Sequence, residues 1–180
     1  RMHQVDPLNP ITDVDDAAAY FHAGENDTAL TLIENVYPMI PENPAVRYYY
    51  CLILAYTGQT QKCFKIAEQG IEQSPENIHS KLCILLKFAL QNEKNKIDSF
   101  MTENFQSVIK TDFGSEYWTA VTYSLVNEKE KALLWLERAV EDGYMNYPRL
   151  AWKDPFLENI RKEDRFQALL DRVKKRWESL

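Results

Sequence analysis

The chain has 180 residues, 45% of them hydrophobic and 27% charged, with five glycines and a net charge of −6. That acidic balance lacks the basic face on which nucleic-acid binding rests. No apolar run approaches the roughly 18 residues needed to cross a bilayer, and no charged-then-apolar leader opens the chain. We therefore expect a soluble segment with neither nucleic-acid contact nor membrane insertion.

Pro7, Pro41 and Pro75 lie 34 residues apart, and each is followed two residues later by an asparagine: Asn9, Asn43 and Asn77. Pro7, Asn9 and Pro10 of the run from Val5 to Pro10 fall in register with Pro41, Asn43 and Pro44 of the run from Ile40, so residues 1–9 read as the tail of a preceding repeat. On that reading the natural chain continues upstream. Repeat 1 spans residues 10–43, with one helix to about Ala23, a bend at Gly24 and a second helix from about Asp27 to Tyr37. Gly24 stands where a helix ends in a left-handed residue. Repeat 2 spans 44–77 and bends at Gly58. Repeat 3, 78–111, bends at Asn92, asparagine being the next most tolerant of that conformation. It is degenerate, with Asn104 at a position that is small elsewhere and Ile109 where a proline would fall. Repeat 4, 113–146, bends at Asn127, and its second helix stops at Gly143.

Small residues recur where paired helices approach closely, as at Ala17 and Ala29, Cys51 and Cys63, and Ala120 and Ala132. Larger core positions follow at Tyr20, Leu54, Phe88 and Tyr123 on the first helices, and at Ile33, Ala67, Met101 and Leu136 on the second. The i, i+3, i+4 spacing puts each set on one buried stripe. Residues 147–180 supply helix starts at Tyr147-Pro148, at Asp154-Pro155 and at Asp164 with Gln167 three residues on. Phe166, Leu169, Leu170, Val173 and Trp177 then form the stripe of a capping helix that closes the open end of the stack.

On these bend, proline and small-residue positions the chain resembles the tetratricopeptide-repeat family. The resemblance implies an all-α, right-handed superhelical solenoid of antiparallel helix pairs with a C-terminal capping helix. It departs from that family where a large aromatic near the start of each first helix is replaced by Asp13, Arg47, Lys81 and Glu116. The segment from Gly143 through Asp154, Pro155, Ile160, Asp164 and Leu170 is similar to the C-terminal tails of bacterial multidomain regulatory proteins. That similarity implies the sensing or docking tail of a larger signalling protein, with an upstream domain of the same chain among its partners.

The sequence offers little for catalysis. His3, His22 and His79 fall in three different units, with no HExxH or His-x3-His pair to hold a metal. No nucleophile elbow, phosphate-cradling loop or dinucleotide fingerprint occurs, so we expect neither an active site nor a cofactor. Cys51 and Cys63 read as close packing of two small apolar residues, with a redox pair as the other reading; Cys83 reads as groove or core. The run Arg172, Lys174, Lys175 and Arg176 suits a helix C-terminus, with an anionic partner or surface as the alternative. Unpaired cysteine spacing favours a reduced, cytoplasmic setting, and an extracytoplasmic tail of a membrane protein stays open.

By the family resemblance, the first helices turn a second face to a concave groove. The contacts chosen there are Phe21, Tyr48, Tyr49, Leu52, Tyr56, Leu86, Tyr117 and Trp118, since aromatic side chains anchor interfaces; packing between repeats is the competing reading of the same stripe. The expectation is a non-catalytic module binding a peptide or protein, with self-association into a homodimer or scaffold as the alternative.

Overall fold

The computed structural model describes residues 10–179, and among these it contains helices and no strand. In chain order the helices are α1 (Pro10–His22), α2 (Asn26–Val36), α3 (Pro44–Tyr56), α4 (Thr60–Gln73), α5 (Ile78–Leu90), α6 (Lys94–Phe100), α7 (Glu103–Ile109), α8 (Phe113–Leu125), α9 (Lys129–Glu141) and α10 (Asp164–Trp177). The fold is all-α, with α1 on α2, α3 on α4 and α8 on α9 packed as helical hairpins. It forms two compact units, one ending at Lys87 and the other beginning at Phe88. The reading of residues 1–9 lies outside the described residues.

One local device closes each first helix. Gly24, Gly58, Asn92 and Asn127 all have positive φ, between 56° and 81°. In each case the next amide reaches back to a carbonyl five residues earlier: Glu25 to Tyr20, Gln59 to Leu54, Glu93 to Phe88 and Glu128 to Tyr123, at 2.8–2.9 Å. This left-handed stop satisfies carbonyls that a helix end would otherwise leave bare. Gly143 does the same after α9, with Tyr144 donating to Ala139 at 2.7 Å.

The prolines and asparagines work at the opposite ends. The Asn43 side chain accepts from the amides of Ala45 and Val46, and Pro44 occupies the first helical position, where a missing N–H costs nothing. Asn77 accepts from His79 at 2.9 Å. Asp112 takes the same role for α8, accepting from the amide and hydroxyl of Ser115. From Asn43 to Asn77 the 34-residue spacing is thus a spacing of helix caps.

In the first unit Ala17, Phe21, Ala29, Ile33, Ile53, Leu54, Ala67 and Leu85 are buried. Each large side chain taken fully from water contributes about 1.5–3 kcal/mol. Tyr20 corrects the core expected from sequence, because it is 41% exposed. The buried stripe of α1 runs through Val14, Ala17, Ala18 and Phe21, so the i, i+3, i+4, i+7 set passes beside Tyr20 rather than through it. Arg47, in the first turn of α3, is buried. Its Nη2 donates to the Pro41 carbonyl at 2.7 Å and to Gln73 Oε1 at 2.6 Å. Gly70 makes the room, for a Cβ there would lie 3.0 Å from Arg47 Cδ.

In the second unit the helix following Asn92 breaks into α6 and α7. Thr102 caps α7 by accepting from Phe105, and Gln106 donates to the Met101 carbonyl at 2.8 Å. Phe100 packs edge-on to both Phe88 and Phe105 across the break, leaving Phe88 half-buried rather than in the core. After Gly143 the chain makes a π-type turn at Arg149–Lys153 and a 3-10 turn at Pro155–Leu157 before α10. Glu163, not Asp164, is the cap position of α10, and no side chain closes it. Phe166, Leu169 and Val173 are buried, and Arg165 forks onto Glu137 at 3.0 and 2.8 Å with Glu130 at 2.7 Å, tying α10 to α9. Trp177 departs from the expected buried stripe at 44% exposed.

Candidate functional site

The aromatic residues chosen from sequence divide by unit. In the first unit the helix α3 carries Tyr48, Tyr49 and Tyr56, flanked by His22 on α1 and His79 on α5. The rings form a continuous series: His22 meets Tyr49 edge-on at 5.9 Å, Tyr49 meets Tyr48 at 5.7 Å, and Tyr48 meets His79 at 5.2 Å. His22 Nε2 lies 3.5 Å from the Tyr49 hydroxyl. Phe21 holds Tyr56 edge-on at 5.1 Å. Such tilted and edge-to-face contacts fix ring orientations and are worth about 0.5–1.5 kcal/mol a pair beyond the burial itself.

Exposure then divides these residues. Tyr49, Tyr56, His22 and His79 are half-buried. Phe21, Tyr48, Leu52 and Leu86 are buried and pack within the protein. A half-buried aromatic held by its neighbours loses little side-chain freedom on binding, which makes it an inexpensive contact.

In the second unit the chosen pair is closed off. Tyr117 is fully buried, stacks face to face on Tyr144 at 4.2 Å and donates its hydroxyl to Asp154 Oδ2. Asp154 also accepts from the Phe156 amide at 2.9 Å and sits 3.4 Å from Arg149 Nε. The Arg149 guanidinium lies over the Trp118 ring at 5.1 Å. Burial pushes the Tyr144 hydroxyl far above the ordinary tyrosine range. Arg161 completes the arrangement, donating to the carbonyls of Leu150 and Ala151 and to that of Asp154. The Asp-Pro segment therefore seals the face of α8 from which Tyr117 and Trp118 project.

Sequence reasoning missed the aromatics that do reach solvent here. Trp152, 61% exposed, packs edge-on to Tyr147 at 5.5 Å, and Tyr147 lies 5.8 Å from Trp177. Trp152 sits in the π-type turn, outside any helical stripe, so periodicity gives it no mark. Also in the first unit, Tyr37, Arg47, Lys62, Lys65, Gln69 and Gln73 border a cavity of about 520 Å³. Lys62 there is engaged with Glu34 at 2.6 Å, a contact that draws the Glu34 carboxyl below its ordinary range.

Among the described residues no cluster of His, Cys, Asp and Glu is arranged to hold a metal ion, and no helix is long and apolar enough to cross a membrane. No family model and no curated protein matches the chain. Among solved structures the chain is similar to the MamA RS-1 ArsTM double mutant, at 13% identity over 95% of this chain and 97% of that one, with a TM-score of 0.49.

Proposed function

We propose that this chain is a non-catalytic, tetratricopeptide-like module that binds a peptide or protein through the aromatic face of its first unit. The observation that carries the reading is the ring series on α1, α3 and α5, in which buried side chains brace half-buried ones. Tyr49 and Tyr56 are the contacts, with His22 and His79 at the margins, while Phe21, Tyr48, Leu52 and Leu86 support them from beneath. Tyr117 and Trp118, packed within the second unit, are not among the proposed contacts. The similarity of the C-terminal segment to the tails of bacterial regulatory proteins makes a domain of a larger signalling protein, upstream in the same chain, one candidate partner.

The test is isothermal titration with peptides selected from a displayed library, first on the native chain and then on Tyr49→Ala and Tyr56→Ala variants checked by circular dichroism. Removing an interface tyrosine that acts as an anchor costs about 2 kcal/mol or more, roughly a 30-fold loss of affinity. Unchanged affinity in both folded variants would remove this face from the account. Light scattering addresses self-association, the alternative: a strict monomer at high concentration excludes it.

A further inference from the structure

Three thiols converge in the core of the first unit. Cys51 on α3 and Cys63 on α4 are both fully buried, and their sulfur atoms lie 2.9 Å apart. The Cys51 thiol also lies 3.6 Å from the Cys63 carbonyl. Cys83 on α5 is buried beside them. Hydrogen bonding to Cys63 first, then to Cys83, together with burial, pushes the Cys51 thiol well above the ordinary cysteine range.

We infer that Cys51 and Cys63 are a redox-active pair that closes into a disulfide bolting α3 to α4, with Cys83 as the thiol left over. The two cysteines stand where small residues let paired helices touch, so each sulfur already faces the other across the hairpin. A disulfide needs about 2.0 Å between sulfurs, so the pair has about 0.9 Å to travel.

Burial sets the conditions for the chemistry. Thiolates, not thiols, attack oxidants, and a fully buried Cys51 stays protonated, so oxidation waits for the hairpin to open at its Gly58 bend. With a peroxide as oxidant, one opened thiol loses its proton and the thiolate attacks a peroxide oxygen. The O–O bond breaks, leaving a sulfenic acid and, after protonation of the departing hydroxide, one water. The second thiol loses its proton and attacks the sulfenyl sulfur; the S–O bond breaks and a second water departs. Two thiols and one peroxide give one disulfide and two waters. The product pins the helix that bears Tyr49 and Tyr56, yet the inference stands on the core of the unit and is independent of the proposed binding face.

The experiment treats the full chain with hydrogen peroxide in graded, sub-denaturing urea, then alkylates with N-ethylmaleimide in strong denaturant and weighs the intact protein. The reduced protein, with three free thiols, takes up three adducts. The oxidised protein should take up one, be about 2 Da lighter apart from the adducts, yield a peptide linking residues 51 and 63, and gain a higher urea midpoint that reduction reverses. Oxidation should speed up as urea opens the hairpin. Cys83→Ser should leave the link intact and take up no adduct after oxidation. Three adducts persisting at every urea concentration, or a link that joins Cys83 to either other cysteine, would overturn the assignment.

Discussion

Replacing Asp154 by alanine tests whether the C-terminal segment is held by a buried ion pair or merely by apolar packing. Asp154 and Arg149 are both fully buried, 3.4 Å apart, and the same carboxylate serves the Tyr117 hydroxyl and the Phe156 amide. Removing it takes the carboxylate from a buried guanidinium and an acceptor from two donors. Breaking one side of such a pair costs about 3–5 kcal/mol, a shift of roughly 10³-fold in the unfolding equilibrium at the midpoint of that range. Asp154→Asn keeps the shape and an acceptor for Phe156 and should cost less, about 1.5–3 kcal/mol. Substituting both partners with apolar side chains, Asp154→Leu with Arg149→Met, should recover much of the alanine loss, since a paired buried charge can be exchanged for packing at little net cost. All four tryptophans, at 118, 135, 152 and 177, lie in the second unit, so urea unfolding followed by tryptophan fluorescence reports on that unit alone. A loss below about 1 kcal/mol for Asp154→Ala, or strict additivity of the single substitutions in the double variant, would refute the reasoning.

Other perturbations probe the fold elsewhere. Gly58 has φ of +77° and no atom within 4 Å of where a Cβ would stand, so Gly58→Ala meets no clash and should lose only the left-handed backbone penalty, about 1–2 kcal/mol; thermal unfolding followed by far-ultraviolet circular dichroism reads it, and a neutral result would mean the bend relaxes. Glu116 is buried beside Asp142, and burial first, then that negative charge, raises its pKa above the ordinary 4.5 despite Arg138 at 3.3 Å. A raised folded value means that its favourable contribution is full below the ordinary value and is lost as pH rises through the folded one. Glu116→Gln should therefore be more stable than the native chain at neutral pH, with the advantage shrinking as acid protonates the native carboxyl; urea midpoints from pH 4 to 8 check this, and a pH-independent difference would contradict it.

The fold was legible because its punctuation is local. A glycine or asparagine that ends a helix by turning left-handed, and an asparagine that caps the next helix from its own side chain, need only a few neighbours. Gly24, Gly58, Asn92, Asn127, Asn43 and Asn77 carry these roles in the described structure. The break between α6 and α7 was less legible, because it depends on Thr102 competing as a cap inside a helical pattern that otherwise continues, with Phe88, Phe100 and Phe105 packed around it. Tyr20 shows the limit of a stripe argument: one residue either side of the buried line is 100° of helix rotation away, and pattern alone does not say which neighbour yields.

The exposure of the aromatic residues was half legible for a related reason. Aromatic residues on the first helices are recognisable, but whether a ring serves a partner or the core depends on what covers it, and covers come from distant sequence. Tyr117 and Trp118 are sealed by Asp154 and Arg149, more than 30 residues further on, through a hydroxyl–carboxylate bond and a cation over an indole. Tyr49 and Tyr56 have neighbours at their ring edges instead, from His22 and Phe21, and keep part of their surface. The same residue type is therefore sealed in one unit and part-exposed in the other. If the sealing network were opened by Asp154→Ala without unfolding the unit, the Trp118 ring would gain water access and its fluorescence would shift to longer wavelength, while binding at Tyr49 would keep its affinity.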